Sequence, residues 1–334
     1  MSIKRQLRET LSAFLKRYDY EIIESQRLYD WQKTPQTGAS RSQSALPEGA
    51  ASYLQMSNPR FTELQDRYAA FNNDVTNPLE WQDSHVSPDD MQYFRGDNAY
   101  VWQFRTPFMN EMAYALTTYY VKAIDKLGLL DKLIEDDLFG VLCTSIDNRL
   151  VSRDLLDSII EIHFLEKHLN ITNFKNLTVL DVGAGYGRLA HRMVSALPNI
   201  ANYLCTDAFP ASTFISEYYL RYRNLEDKAK VVPLDEIEQT LRNYKVDLAV
   251  NIHSFSECRI PAIEWWLSTL AKNNVKYLMV VPNPLELLTN DGSDFGGVIE
   301  NSGYKLIAKD FKYLDLVVQK YAINPCCHYL FELR

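Results

Sequence analysis

Apolar residues at the start of the chain recur at intervals of three and four. Ile3, Leu7, Leu11, Phe14, Leu15, Tyr18 and Ile22 share one helical face while Lys, Arg, Glu and Gln fill the others, which predicts a helix over residues 2–31. Its apolar stripe suits packing on the chain's own core or on a second copy, as a homodimer. Residues 33–50 are small and polar, broken by Pro35, Gly38, Pro47 and Gly49. They predict a mobile loop, either a connector or a lid that orders over a ligand. A helix is expected from Asn58 towards Trp81, ended by Pro78. Another is expected over residues 107–138, with Gly128 and Gly140 as punctuation. Ser152 is a good N-cap with Asp154 in the first turn, and Leu155, Leu156, Ile159, Ile160, Phe164 and Leu165 form a wide stripe behind it.

Beyond residue 178 the rhythm changes to short apolar runs alternating with helical patterns. Candidate strands are Thr178–Val182, Tyr203–Thr206, Lys230–Leu234, Asp247–Ile252, Val275–Val281, Tyr304–Asp310 and His328–Leu333. Helical patterns separate the first six, and a loop alone separates the last two. This alternation predicts an α/β fold, a doubly wound and mostly parallel sheet whose last pair is antiparallel. Residues 1–145 are then a helical, substrate-selecting cap, and residues 146–334 the sheet domain.

The formal net charge of -8 argues against a nucleic-acid partner held through phosphates. No apolar run approaches the length of a membrane span, and the first residues lack the core of a signal peptide, so a cytoplasmic protein is expected. Five scattered cysteines speak against a disulfide framework. Cys326-Cys327-His328 reads as buried side chains of a final strand, since neighbours on a strand point to opposite faces. No spaced ligand cluster suggests a metal, although carboxylates at strand ends leave room for Mg²⁺.

The first of the alternating strands runs into Asp181-Val-Gly-Ala-Gly-Tyr-Gly187, with a helical pattern from Arg188. Alternate glycines permit positive φ and close backbone approach, and the helix start leaves N–H groups free for a polar ligand. A dinucleotide G-x-G-x-x-G frame finds Arg188 in its third place from Gly183 and Ala190 from Gly185. Asp207 ends the next strand, 20 residues after Gly187, where a carboxylate can accept both ribose hydroxyls of a nucleoside. The glycine run preceded by Asp181 resembles motif I of the class I S-adenosylmethionine (SAM)-dependent methyltransferases. NAD remains the alternative ligand.

In open α/β sheets the ligand lies beyond the carboxyl ends of the strands. The fourth of these strands ends in Asn251-Ile-His-Ser-Phe-Ser-Glu257. A hydroxyl acceptor is a poor nucleophile until it loses its proton, so a base there is valuable. His253 is the first candidate and Glu257 the second, with Ser254 beside them for substrate. Upstream, Arg95, Tyr100, Trp102 and Gln103 combine aromatic faces with planar polar groups, which suits either sugar binding or a core turn.

Several stretches together resemble the bacterial sugar O-methyltransferases associated with surface polysaccharide synthesis. They are Asn58–Tyr68, Ser152–Ser158, the glycine run, Tyr203–Pro210 with Tyr218–Leu220, and Asn251–Glu257. The chain departs from that family at Ala208-Phe209 and Cys258. The resemblance implies a seven-stranded Rossmann-like methyltransferase sheet and SAM as cofactor, with S-adenosylhomocysteine as product. It places Asp181, Gly183, Ala184, Gly185, Tyr186, Gly187 and Asn251 at the cofactor, Asp207 at the ribose and Asp235 at the adenine. The acceptor it implies is a sugar hydroxyl on a nucleotide sugar or glycan precursor. Another small hydroxyl or phosphorylated acceptor, and a SAM-binding scaffold without turnover, are the alternatives.

Overall fold

A computed structural model describes residues 3–18, 20, 22–32, 45–71, 74–81, 85–96 and 110–334. The expected first helix is two, Ile3–Lys16 and Ser25–Gln32, separated by a run containing the weak helix formers Tyr18, Tyr20, Ile22 and Ile23. Most of the proposed loop 33–50 lies outside the described residues. Its end, however, is ordered: Ala45 bridges Leu138, and Ala50–Tyr53 is a short helix. The next helix, Pro59–Phe71, begins with proline in the first turn, where the missing N–H costs nothing. The stretch expected as helix over 107–138 is two helices where it is described, Glu111–Ile124 and Leu129–Lys132. Asp125 separates them and accepts from the N–H groups of Leu129 and Leu130 at 2.9 and 2.8 Å.

Strands β1 (Cys143–Ile146) and β2 (Arg149–Ser152) form an antiparallel hairpin that the sequence reading missed. Its signal was Asp147-Asn148, both at positive φ (50° and 60°), as a two-residue hairpin turn requires. Helix Arg153–Leu169 follows directly, and Ser152 Oγ accepts from Leu155 N at 3.1 Å as its N-cap.

Among the described residues, the main sheet contains β3 (Leu177–Val182), β4 (Ile200–Thr206), β5 (Ala229–Val231), β6 (Leu248–Ile252), β7 (Tyr277–Val281), β8 (Tyr304–Phe311) and β9 (Cys327–Leu333). Their order is β5-β4-β3-β6-β7-β9-β8, with β3 to β7 parallel and β9 antiparallel to both β7 and β8. The fold class is therefore the doubly wound α/β sheet expected. One detail differs: helix Leu316–Tyr321, capped by Asp315, lies between the last two strands. All six residues of β3 are buried, as a central parallel strand covered by helices on both faces must be. The chain leaves β3 towards β4 on one side and has β6 on the other, which opens a crevice at their carboxyl ends.

The helical region packs on this sheet as part of one apolar core, which joins Leu54, Phe61 and Leu64 to Phe214, Val250 and Leu278. Ion pairs fasten it. Arg60 grips Glu217 with two hydrogen bonds of 3.0 and 2.6 Å, and Arg67 grips Asp235 with two of 2.9 and 2.8 Å. Deeper, the fully buried Glu135 carboxylate bonds both Arg95 (2.5 Å) and Arg192 (2.8 Å), and Ser152 Oγ donates to it.

Candidate functional site

A cavity of about 520 Å³ occupies the crevice at the carboxyl ends of β3, β4 and β6. Its size is that of a small-molecule site, typically ~300–1,000 Å³. The glycine turn forms one wall. Gly183 has φ 78°, and a Cβ there would lie 2.3 Å from the Ser254 side chain, so only glycine lets β3 and the turn after β6 meet. Gly185, at φ 57°, has no atom within 4 Å of where its Cβ would stand. Its open side faces the cavity and is a cradle that a side chain would fill.

Asp181 ends β3 beneath this turn. Burial pushes its carboxyl up to about 7, although the Tyr203 hydroxyl donates to it at 2.9 Å. Asp207, after β4, is oriented by the backbone: Oδ2 accepts from Gly185 N and Oδ1 from Phe209 N, each at 2.9 Å. Burial outweighs these donors and lifts it to about 6.

The opposite wall follows β6. His253 stands at φ 67°, held by its N–H on Val281 O at 2.7 Å. Such a conformation costs roughly 1–3 kcal/mol outside glycine and persists only where its surroundings impose it. Burial, with Lys312 and Arg153 nearby, drops the imidazole to about 3. Its Nδ1 is buried without a partner among the described residues. Glu257, one turn on, is pushed up by burial to about 7, opposed by hydrogen bonds from Trp81 and Asn283. A carboxylate so poised gains and loses a proton near neutrality, whereas an imidazole at about 3 is a feeble acceptor. Both residues that the sequence offers as a base, His253 first and Glu257 second, therefore stand on this wall.

Of the cofactor candidates, Asp181, Gly183, Ala184, Gly185, Tyr186 and Asp207 line the cavity, and Ser254 joins them from the acceptor set. Tyr186 also turns its hydroxyl to Asp154 in the core. Three others do not line it. Gly187 is the N-cap of helix Arg188–Ala196, where a Cβ would lie 3.0 Å from Ser216 Oγ and 3.3 Å from Leu220. Asp235 lies away from the cavity, with both oxygens taken by Arg67. Asn251 is fully buried, donating to Val182 O at 2.8 Å and accepting from Phe255 N at 2.9 Å, so it ties β3 to the turn that carries Ser254 and Glu257. Arg95, expected at the acceptor, is completely buried on Glu135 and Asp136 and does not line the cavity. Tyr100, Trp102 and Gln103 lie outside the described residues.

Sequence reasoning missed Glu80 and Trp81, Arg153, Asn283 and Asn290, and Lys312, all of which line the cavity. They come from loops and element ends that no local pattern marks. Cys326 also reaches the wall, while Cys327 is buried. Among the described residues no group of three or more His, Cys, Asp or Glu is arranged to hold a metal, and no helix is long and apolar enough to cross a membrane.

No family model and no curated protein matches the chain. Solved structures resemble part of it. One is a SAM dependent methyltransferase from Aquifex aeolicus, with 18% identity over 51% of this chain and 89% of that one and a TM-score of 0.39. Magnesium protoporphyrin IX methyltransferase from Synechocystis with bound SAM has 10% identity over 66% and 97%, with a TM-score of 0.40. Precorrin-6y C5,15-methyltransferase from Geobacter metallireducens has 13% identity over 57% and 94%, with a TM-score of 0.37. In each case the likeness is partial and weak, and it bears on the fold alone.

Proposed function

We propose that the chain is a SAM-dependent O-methyltransferase for a sugar hydroxyl on a nucleotide sugar or glycan precursor. The observation that carries this reading is one cavity bounded by the glycine turn and Asp207 on one side and by Glu257, near neutrality, on the other. The open face of Gly185 and the acceptor oxygens of Asp207 suit a nucleoside with a charged tail. SAM bound there would supply a methyl group on a sulfonium. Asp207 would hold the ribose hydroxyls, and the backbone of Gly183–Gly185 would meet the methionine end. The methyl group would pass to the acceptor oxygen with the sulfonium leaving as a neutral thioether. Glu257 takes the proton that this oxygen gives up and returns it to water. Positioning of the two reactants supplies the largest part of the rate.

A polyhydroxylated acceptor is favoured by Trp81, an apolar face, standing among His253, Ser254, Asn283 and Asn290, which can hydrogen-bond hydroxyls. The helical region contributes Trp81, consistent with residues 1–145 acting as the substrate-selecting part. A phosphorylated acceptor is the second reading, favoured by Arg153 and Lys312 on the same cavity wall. A second copy of the chain is proposed to cover the exposed apolar face of helix Ile3–Lys16. That face carries Leu7, Leu11 and Phe14, all exposed.

Calorimetric titration with SAM, with NAD for comparison, tests the cofactor. Saturable SAM binding is expected, weakened at least tenfold in Asp207→Ala. Preference for NAD, or no SAM binding by folded protein, would sink the reading. S-adenosylhomocysteine release with a panel of sugar, nucleotide-sugar and phosphorylated acceptors then separates the two acceptor classes.

A further inference from the structure

The helical region reaches the carboxyl end of β6 through Pro78–Trp81. Leu79 N donates to the Glu257 carbonyl oxygen at 3.0 Å, which fastens this segment to the turn bearing the carboxylate. Two residues on, Trp81 Nε1 donates to Glu257 Oε2 at 2.6 Å. The indole leans on Phe209, with ring centroids 5.3 Å apart and planes at 48°. Phe209 follows Asp207, so the ring that grips Glu257 rests on the loop expected to hold the cofactor. The other oxygen, Glu257 Oε1, has a contact of 3.4 Å with Asn283 Nδ2.

This arrangement treats the two carboxylate oxygens unequally. An indole N–H donates and never accepts, so Oε2 cannot pass a proton to Trp81 and is held in its charged, accepting form. A charge-assisted bond of this length fixes the plane of the carboxylate as well as its place. The proton from an acceptor is directed to Oε1.

We propose that Trp81 is a positioning residue of the methyl-transfer site: its indole N–H clamps Oε2 of Glu257 so that Oε1 meets the acceptor hydroxyl. The proposal rests on Glu257 being the base. It makes the helical region a working part of the site, because the clamp is carried by a segment far from the sheet in sequence.

Trp81→Phe keeps a ring against Phe209 and removes the donor. In full-length protein carrying ¹³C-labelled glutamate, the Glu257 carboxyl resonance, assigned with Glu257→Gln, reports its titration without any turnover. The Trp81 bond favours the carboxylate, so its loss must move that titration to higher pH. We expect a rise of about half a pH unit or more, an equal shift of the acid limb of the kcat/KM profile, and about a tenfold fall in kcat. SAM affinity should stay within about twofold. Trp81→Gln, which restores an N–H, should bring the titration part of the way back, and Trp81→Leu, which also removes the donor, stands in should Trp81→Phe fail to fold. An unmoved Glu257 titration in a folded variant that lacks the donor overturns the clamp. A moved titration beside an unmoved acid limb shows that the contact exists but that Glu257 is not the base, and the catalytic role of Trp81 falls with that assignment.

Discussion

At the scale of single residues, the cavity depends on groups that nothing else could replace. Gly183 is the sharpest case: its missing Cβ is where the Ser254 side chain sits. Gly183→Ala combines positive-φ strain with overpacking and should destabilise by about 2–4 kcal/mol in urea melts, with SAM binding lost. Gly185→Ala meets open space and should cost stability only about 1 kcal/mol of strain. Equal losses in the two variants would contradict the packing described. The places of Asp181, Gly183, Gly185 and Asp207 at the carboxyl ends of β3 and β4 were legible in the sequence because they are fixed by spacing from a strand. The choice between His253 and Glu257 was not. Residue type and position favour histidine. What bears on that choice is burial beside Lys312 and Arg153, a fact of tertiary packing. Arg95 shows the same limit. Sequence places it among aromatics and polar groups, and only the fold brings Glu135 and Asp136 to it.

Among elements, the strands of the main sheet were each readable, since each is a short apolar run bounded by turn residues, although β4 begins at Ile200, before the expected Tyr203, and β5 ends at Val231, before the expected Leu234. The hairpin of β1 and β2 was missed because its eight strand residues carry no apolar alternation, and its one signal is the Asp147-Asn148 turn. Long helices broke where the chain needed a corner, and polar residues such as Asp125 marked the breaks. What sequence could not show is how the helices are tied to the sheet. Glu135 joins Arg95, from the helical region, to Arg192, in the helix after the glycine turn, with every partner buried. Glu135→Gln leaves two guanidinium groups buried with their shared charge removed. A loss of about 3–5 kcal/mol is expected by chemical denaturation. A change below about 1 kcal/mol would mean that the pairs contribute little to fastening the two regions.

For the molecule as a whole, the charge and the apolar surface are unevenly spread. Leu7, Leu11 and Phe14 are 70, 50 and 53% exposed on helix Ile3–Lys16, and Tyr18, just past its end, is 62% exposed, in a chain of net charge -8. If that helix pairs with its equivalent, sedimentation velocity should show a dimer that Leu11→Glu converts to monomer without loss of SAM binding. A monomer across the micromolar range would remove the pairing.

The place of β9 has a consequence for how the chain matures on the ribosome. β8 is synthesised before β9, yet its partner in the sheet is β9, and the free edge of β7 waits for the same strand. Vectorial synthesis therefore yields a nascent sheet with one apolar edge open and one finished strand unhoused until the segment Cys327–Leu333 clears the exit tunnel. An unpaired edge is a template for association with other chains. Until then the edge of β7 is open to pairing with another chain, and a ribosome stalled before residue 327 would hold a sheet that cannot close.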